Sequence, residues 1–421
     1  MATKQWTGNA VAVKDVWTIT PGGTIASGST FTLTINGKSI VYTSTGSTVA
    51  GVTAGIAALW NNTETPPPPE FRELVAVDNT TSVTFTGRLE GRPHTVGAAA
   101  GGSGTPSVSI SNTTPATGPN FISAAANWSD NTAPANSDVL VIDSGTIPIL
   151  YGFAALNALT GVTVRILEGY QGVEIGLPND NNDGDYYFEY RTKELTLDGG
   201  TIEVNCSTLQ RLRVNTQSTA ATYRIINTGQ RLDALVPVVL ITGNHSSNTI
   251  DVTRGDVAIA FYPGQTSQFP TVRMAFANNQ ASDSQVFIGP DCTLTTISKT
   301  GGILTTNSNV TTLSQQPNGG TVRVEAGAVT NLNVDGGTCV YNSTGTLGTG
   351  RVSNEGFLDF DQDSRPKTVT NPVELFGDRA RVRDSRKVVN SGALVVDLNH
   401  TQSMANIAIG PNVRVTLGTP S

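Results

Sequence analysis

Charge is scarce in this sequence: only 14% of its 421 residues are Asp, Glu, Lys or Arg, against roughly 25% in ordinary globular chains. Long straight-chain helix formers are scarce too, with Met present three times, while Gly occurs 44 times. Thr, Ser, Asn and Gly fill the gap, a balance that favours strands joined by tight turns over helices. Cysteine occurs three times, as Cys206, Cys292 and Cys339, far apart and without a CxxC pair. That excludes a disulfide framework or zinc site and leaves each as a small buried side chain. No run approaches the ~18 apolar residues of a membrane span, and residues 1–15 lack the apolar segment of a secretory signal. The expectation is a protein made in a cytoplasm, with no signal peptide and no membrane partner. Basic excess is absent as well: the formal net charge is −7, which argues against a nucleic-acid partner. The one basic cluster, Arg379, Arg381, Arg383, Arg386 and Lys387, is interrupted by Asp378 and Asp384, lacks aromatics, and reads as a solvated rim.

What is present divides into regions. Residues 1–16 show no core of their own and read as an N-terminal arm or an edge strand, with Trp6 requiring burial against this chain or another subunit. Residues 17–117 read as a small α+β domain. Trp17 to Thr20 alternate as a strand. Thr30 to Thr45 form a hairpin, with Phe31, Leu33 and Ile35 on one face and Asn36-Gly37 at the turn. Val49, Val52, Ile56, Leu59 and Trp60 fall at helical spacing behind a Ser47 or Thr48 cap. Pro66 to Pro69 make a stiff spacer. Strands follow at Leu74 to Val77, Ser82 to Thr86 and Val108 to Ile110, with Gly101 to Pro106 read as a loop. Residues 118–160 read as a connector carrying Phe121 and Trp128, and residues 161–421 as one long β-rich region.

That region repeats. Gly-Gly corners precede strands at Gly199-Gly200, Gly301-Gly302, Gly319-Gly320 and Gly336-Gly337. Between them runs a second register: Leu294 to Ile297, Val310 to Leu313, Val329 to Leu332, and more loosely Leu347 to Val352. One such turn cannot bury its apolar side chains, but turns stacked ~4.8 Å apart merge them into one core. The expected fold is therefore mainly β: a small α+β N-terminal domain followed by a right-handed parallel β-helix forming a rod of order 60 Å. Asn and Thr at matching positions would stack as ladders along it.

With these regions in view, the chain resembles a group of bacteriophage virion proteins. The resemblance is carried by TFTLTINGKSIVYTSTGSTVAGVTAGIAALWNN, Asn127-Trp128-Ser129, Leu150-Tyr151-Gly152, Ile175-Gly176-Leu177-Pro178 and Tyr341 to Leu347, in that order. It implies a virion structural protein, commonly trimeric, serving as capsid decoration, head fibre or tail fibre. It brings no catalytic residues.

Because β-helices can cleave glycans, carboxylates matter. Asp359, Asp361 and Asp363 alternate with Leu358 and Phe360 and are expected on one outward face, where paired carboxylates can do acid–base work. A soluble acidic rung is the plainer reading. The run Asn179 to Asp185 resembles a calcium loop, with Asp180, Asp183 and Asp185 as ligands to test, but its twelfth position is Tyr190, and an Asx-rich turn is favoured. His94, His245 and His400 are isolated, and Gly101 to Gly104 open no helix that would seat a phosphate. The expectation is no catalytic, cofactor or metal site. It is a capsid decoration protein on the virion surface, a homotrimer bound to the major capsid protein, with a host-binding tail fibre and a glycan-degrading coil as alternatives.

Overall fold

The computed structural model describes residues 2–388 apart from 36, 178–193, 233, 276–283, 318, 372, 378, 386 and 387, and beyond these the strands Leu394–Leu398, Ile407–Ala408 and Val413–Leu417. The chain is mainly β, and two long parallel sheets wind into a β-helix.

One sheet stacks, among others, Thr201, Thr222, Thr249, Thr271, Thr296 and Thr312 in register. Because side chains alternate along a strand, each neighbouring column has its own character. Next to the threonines runs an inward column, Ile202, Tyr223, Ile250, Val272, Ile297, Leu313 and Leu332, all buried. The next column points out and alternates in charge: Arg165, Glu203, Arg224, Asp251, Arg273. Arg165 Nη2 lies 3.0 Å from Glu203, and Arg224 and Arg273 lie 3.7 Å and 3.6 Å from the carboxylates of Glu203 and Asp251. Like charges directly opposite would repel, so alternation is what lets charged residues occupy adjacent rungs.

The second sheet faces the first across an apolar interior. Its inward column is Leu212, Val239, Val257, Val286, Leu304, Val322, Cys339, Leu358 and Val382. The Gly-Gly corners join the sheets as expected from their spacing. Gly302, Gly320 and Gly337 all have positive φ. Thr321 N donates to Gly302 O at 3.0 Å and Thr338 N to Gly320 O at 2.9 Å, so the corners stack as a column. The expected apolar register holds as well: Leu294 pairs with Val310, Val310 with Val329, and Val329 with Leu347.

The N-terminal part departs from expectation in part. Of the two readings of residues 1–16 the edge strand holds, whereas residues 118–160, read as a connector, already carry a strand of the coil. Strand β1 (Thr3–Gln5) lies parallel to β7 (Val139–Ile142), which pairs with β8 (Thr163–Ile166). The coil thus starts at Thr3, and the α+β domain is inserted after its first strand. Lys4 ends the inward column that runs through Leu140 and Val164. Its ammonium is held by Asp130 and Thr132, with Asp138 at 3.8 Å. A charged, fully paired cap of this kind closes an apolar stack against further addition.

Within the insertion, β2 (Lys14–Ile35) is one continuous strand, not two. It returns through β3 (Lys38–Thr43) after a two-residue connection, pairing Ile35 with Lys38. Helix α1 (Val49–Trp60) is capped by the Thr48 hydroxyl, which accepts from Gly51 N at 3.1 Å. Strands β4 (Leu74–Asp78), β5 (Val83–Glu90) and β6 (Val96–Thr114) complete the sheet. The segment Gly101 to Pro106, read as a loop, lies inside β6 and pairs with β2. Glycine there serves close strand approach: at Gly102 a Cβ would meet the Gly28 backbone oxygen. The domain core gathers Phe31, Leu33, Ile35, Ile56, Trp60, Phe71 and Phe85.

Candidate functional site

A dense polar construction sits where the inserted domain joins the coil. The chain leaves the coil after β1 and returns just before Phe121, so the two crossings must be held side by side. Trp6 and Trp128 do this with an edge-to-face contact, ring centroids 5.2 Å apart. Asn127, wholly buried, accepts from Ala10 N at 2.7 Å and donates to the carbonyls of Phe121 and Gly118 at 2.8 and 2.9 Å. One side chain therefore locks both crossing segments.

Just above it, Asp15 at the start of β2 is buried and saturated. Its carboxylate accepts from His94 N at 2.8 Å, Trp17 Nε1 at 2.8 Å, Asn112 Nδ2 at 2.9 Å and Ala116 N at 3.3 Å. His94 Nδ1 lies 3.3 Å from the same carboxylate, and Nε2 lies 3.2 Å from Glu73. Burial disfavours the charged imidazole, but the contacts with Asp15 and Glu73 outweigh it, so the His94 pKa is raised. Burial likewise opposes the Asp15 carboxylate, yet its bonds with His94, Trp17 and Asn112 hold its pKa below the usual range. Chemically this is a polar pin: an imidazole between two carboxylates that favour its charged form, tying the start of β2, the segment just before β6 and the 3-10 turn Pro69–Glu73 together.

The acidic run at Asp359 is arranged otherwise than expected. Leu358 and Phe360 do point inward and are fully buried, but the strand ends at Asp359. Asp359 and Asp361 are themselves 2% and 7% exposed, not an outward acidic face. The cause lies on the next rung, where Arg383 pairs in register with Asp359. Arg383 Nε donates to Asp359 at 3.0 Å and Nη2 at 2.5 Å, and Asp361 lies 3.4 Å from Nε. Gln362 and the Ser385 hydroxyl supply further donors. Burial works against the Asp359 carboxylate, but Arg383 and Gln362 lower its pKa. Asp363 is separate: Lys367 and Arg365 each reach it at 2.7 Å, and its pKa falls to about 2. Every one of these carboxylates is ion-paired, the reverse of an acid held protonated for leaving-group chemistry.

The other sequence candidates disperse. Arg379 pairs with Glu355 and Arg381 stacks on Phe357 at 5.3 Å, both exposed to solvent as the rim reading expects, while Arg383 is turned to Asp359 and Arg386 and Lys387 lie outside the described residues. Residues 179–185 and His400 also lie outside them. His245 accepts from Ser247 N in a local turn. All three cysteines are buried and free, and burial lifts the Cys292 and Cys339 thiols to about 12. Among the described residues no cluster of His, Cys, Asp and Glu is composed to hold a metal. A groove of about 1130 Å3 follows the glycine corners past Asp335, Glu355 and Phe357. Its carboxylates are engaged by Ser353 and Arg379. Sequence reasoning missed Asp15 and Glu73 because neither shows its partner until β2 and β6 pair.

No family model, no curated protein and no solved structure matches the chain.

Proposed function

We propose that this chain is a non-enzymatic structural protein of a bacteriophage particle, a capsid decoration protein. It docks on the major capsid protein through its N-terminal region and projects the coil outward, three copies packing side by side. The observation that carries this reading is the way the α+β domain is spliced into the first turn of the coil. Trp6, Trp128 and Asn127 join foot and rod by a buried seam instead of a linker. Such a joint transmits load and fixes direction, which suits a projecting shell component. The carboxylates that a glycan-cleaving coil would use are ion-paired, Asp359 with Arg383 on the next rung and Asp363 with Lys367 four residues on.

The action is mechanical. Interface buried on the shell lowers the free energy of the closed particle, and three linked feet raise the effective concentration of each. Purified protein added to shells that lack it should co-sediment with them at saturating stoichiometry and raise their melting temperature. Failure to bind would sink the reading. Counting copies per purified particle separates it from a tail fibre: hundreds fit decoration, a few to some tens fit a tail.

A further inference from the structure

Three arginines of the inserted domain line one cavity. It has a volume of about 350 Å3 and is formed by Arg72, Arg88 and Arg92 together with His94, Glu73, Pro69 and Leu89. The local chain explains the convergence. Arg72 lies on the 3-10 turn Pro69–Glu73, Arg88 near the end of β5, and Gly91, at φ +70, swings the chain so that Arg92 returns to the same side.

Their charges are only partly cancelled, one carboxylate standing against three guanidiniums. Arg88 Nε donates to the Arg72 carbonyl at 2.6 Å, and no other bond holds its guanidinium among the described residues. The Arg72 side chain has no ion pair there. Arg92 Nη2 sits 2.8 Å from Glu73, while Arg92 Nε is buried without a hydrogen-bond partner. Glu73 is therefore the single carboxylate lining a cavity with three guanidiniums and His94, because Asp15, behind His94, is already filled by its own donors. An idle buried donor is costly to a fold unless something supplies the acceptor. The lining is otherwise more apolar than polar, and Leu89 stands 58% exposed at the cavity.

We propose that this cavity binds a carboxylate borne on an apolar body. Guanidinium forks match a planar carboxylate, the volume suits a group of that size, and Leu89 with Pro69 would cover its hydrocarbon part. The Glu73 carboxylate inside the site favours a monoanion over a phosphate dianion. Two sources share this chemistry: the C-terminal residue of a peptide, and an acidic side chain flanked by apolar ones. The inference does not depend on the shell-docking reading.

Calorimetric titration of the full chain tests it with four probes: acetyl-Gly-Leu with a free carboxylate, acetyl-Leu-Glu-Leu-amide, acetyl-Gly-Leu-amide and inorganic phosphate. The expected result is binding of a carboxylate probe with Kd on the order of 1–10 mM and about tenfold weaker binding of the uncharged amide. Whichever carboxylate probe binds more tightly names the source. Arg88→Gln, at an exposed position, should weaken binding about tenfold with an unchanged melting curve; Arg92→Gln should weaken binding likewise, with some loss of melting temperature from its Glu73 pair, and serves as the second variant. Equal binding of acid and amide, phosphate bound more tightly than either carboxylate, no binding at all, or full affinity in Arg88→Gln would overturn the proposal.

Discussion

Trp6 and Trp128 meet edge to face at an interplanar angle of 77°, and between them in sequence lies the whole inserted domain. Both rings are essentially inaccessible to solvent, and Trp128 Nε1 donates to Ile122 O at 2.8 Å. Removing the Trp6 ring leaves a large hole beneath the seam. We expect Trp6→Ala to destabilise the base of the coil by about 3–5 kcal/mol. Chemical denaturation followed by tryptophan fluorescence would detect it as an early transition. A denaturation curve superimposable on the wild type would show that the seam is not a joint.

His94 makes stability depend on pH in a defined direction. Its folded pKa is raised above the unfolded value of about 6.5, so the folded state holds the proton more tightly. The contribution is complete below the unfolded value and is lost as pH rises through the folded one. The groups facing His94 are Asp15 and Glu73, with Arg92 paired to Glu73. Calorimetric scans from pH 6 upward should show the domain melting earlier as pH increases, and His94→Gln should flatten that trend. Equal slopes in the two proteins would remove the pin from the account.

Lys299 occupies an inward position in the column Met274, Lys299, Gln315, Val334. It is fully buried, its Nζ has no hydrogen-bond partner, and burial lowers its pKa to about 7. With the unfolded value near 10.4, both states are protonated below pH 7 and the slope is flat. Between about 7 and 10.4 only the unfolded chain keeps the proton, so stability rises with pH. Lys299→Met should stabilise the coil at neutral pH by roughly 2–4 kcal/mol and abolish the rise. Destabilisation by that change would mean the ammonium has a role that packing does not reveal.

The glycine corners separate two costs. At Gly337 the backbone has φ +70, and a Cβ would also fall within 3.0 Å of the Gly320 backbone oxygen on the rung below. At Gly264 the φ is +83 but the space is open. Gly264→Ala should therefore cost about 1 kcal/mol from backbone conformation alone, and Gly337→Ala about 2 kcal/mol or more because a rung must also shift. Paired melting temperatures decide it, and equal losses at the two sites would refute the stacked-corner explanation.

Much of the coil was readable before any coordinates because its signals are local and repeat. Gly319-Gly320 and Gly336-Gly337 mark corners, and Val310 to Leu313 and Val329 to Leu332 mark rungs. The first strand was open as an edge strand, but its place in the coil was not readable, since Thr3-Lys4-Gln5 shows no apolar alternation: the residue at its inward position is Lys4, made tolerable by Asp130 and Thr132 far along the chain. The middle of β6 misled for a related reason, since its glycines answer to β2 across the sheet and not to a bend in their own segment. The junction cluster is the least legible part. Asp15 and His94 are 79 positions apart, and neither has a neighbour in sequence that announces the other. The outward carboxylates at Asp359 and Asp361 were misjudged because Arg383 arrives one full turn later.

The splice between β1 and β7 imposes an order on biosynthesis. On the ribosome, Lys4 and Trp6 emerge well before Leu140 and Ile142 exist to receive them. The inserted domain can complete its own sheet and helix while β1 trails from it as an unmatched polar strand. The base can close as soon as Val139 to Ile142 emerge, ahead of every later rung, so a nascent chain stalled before Val139 carries a finished inserted domain and an open edge.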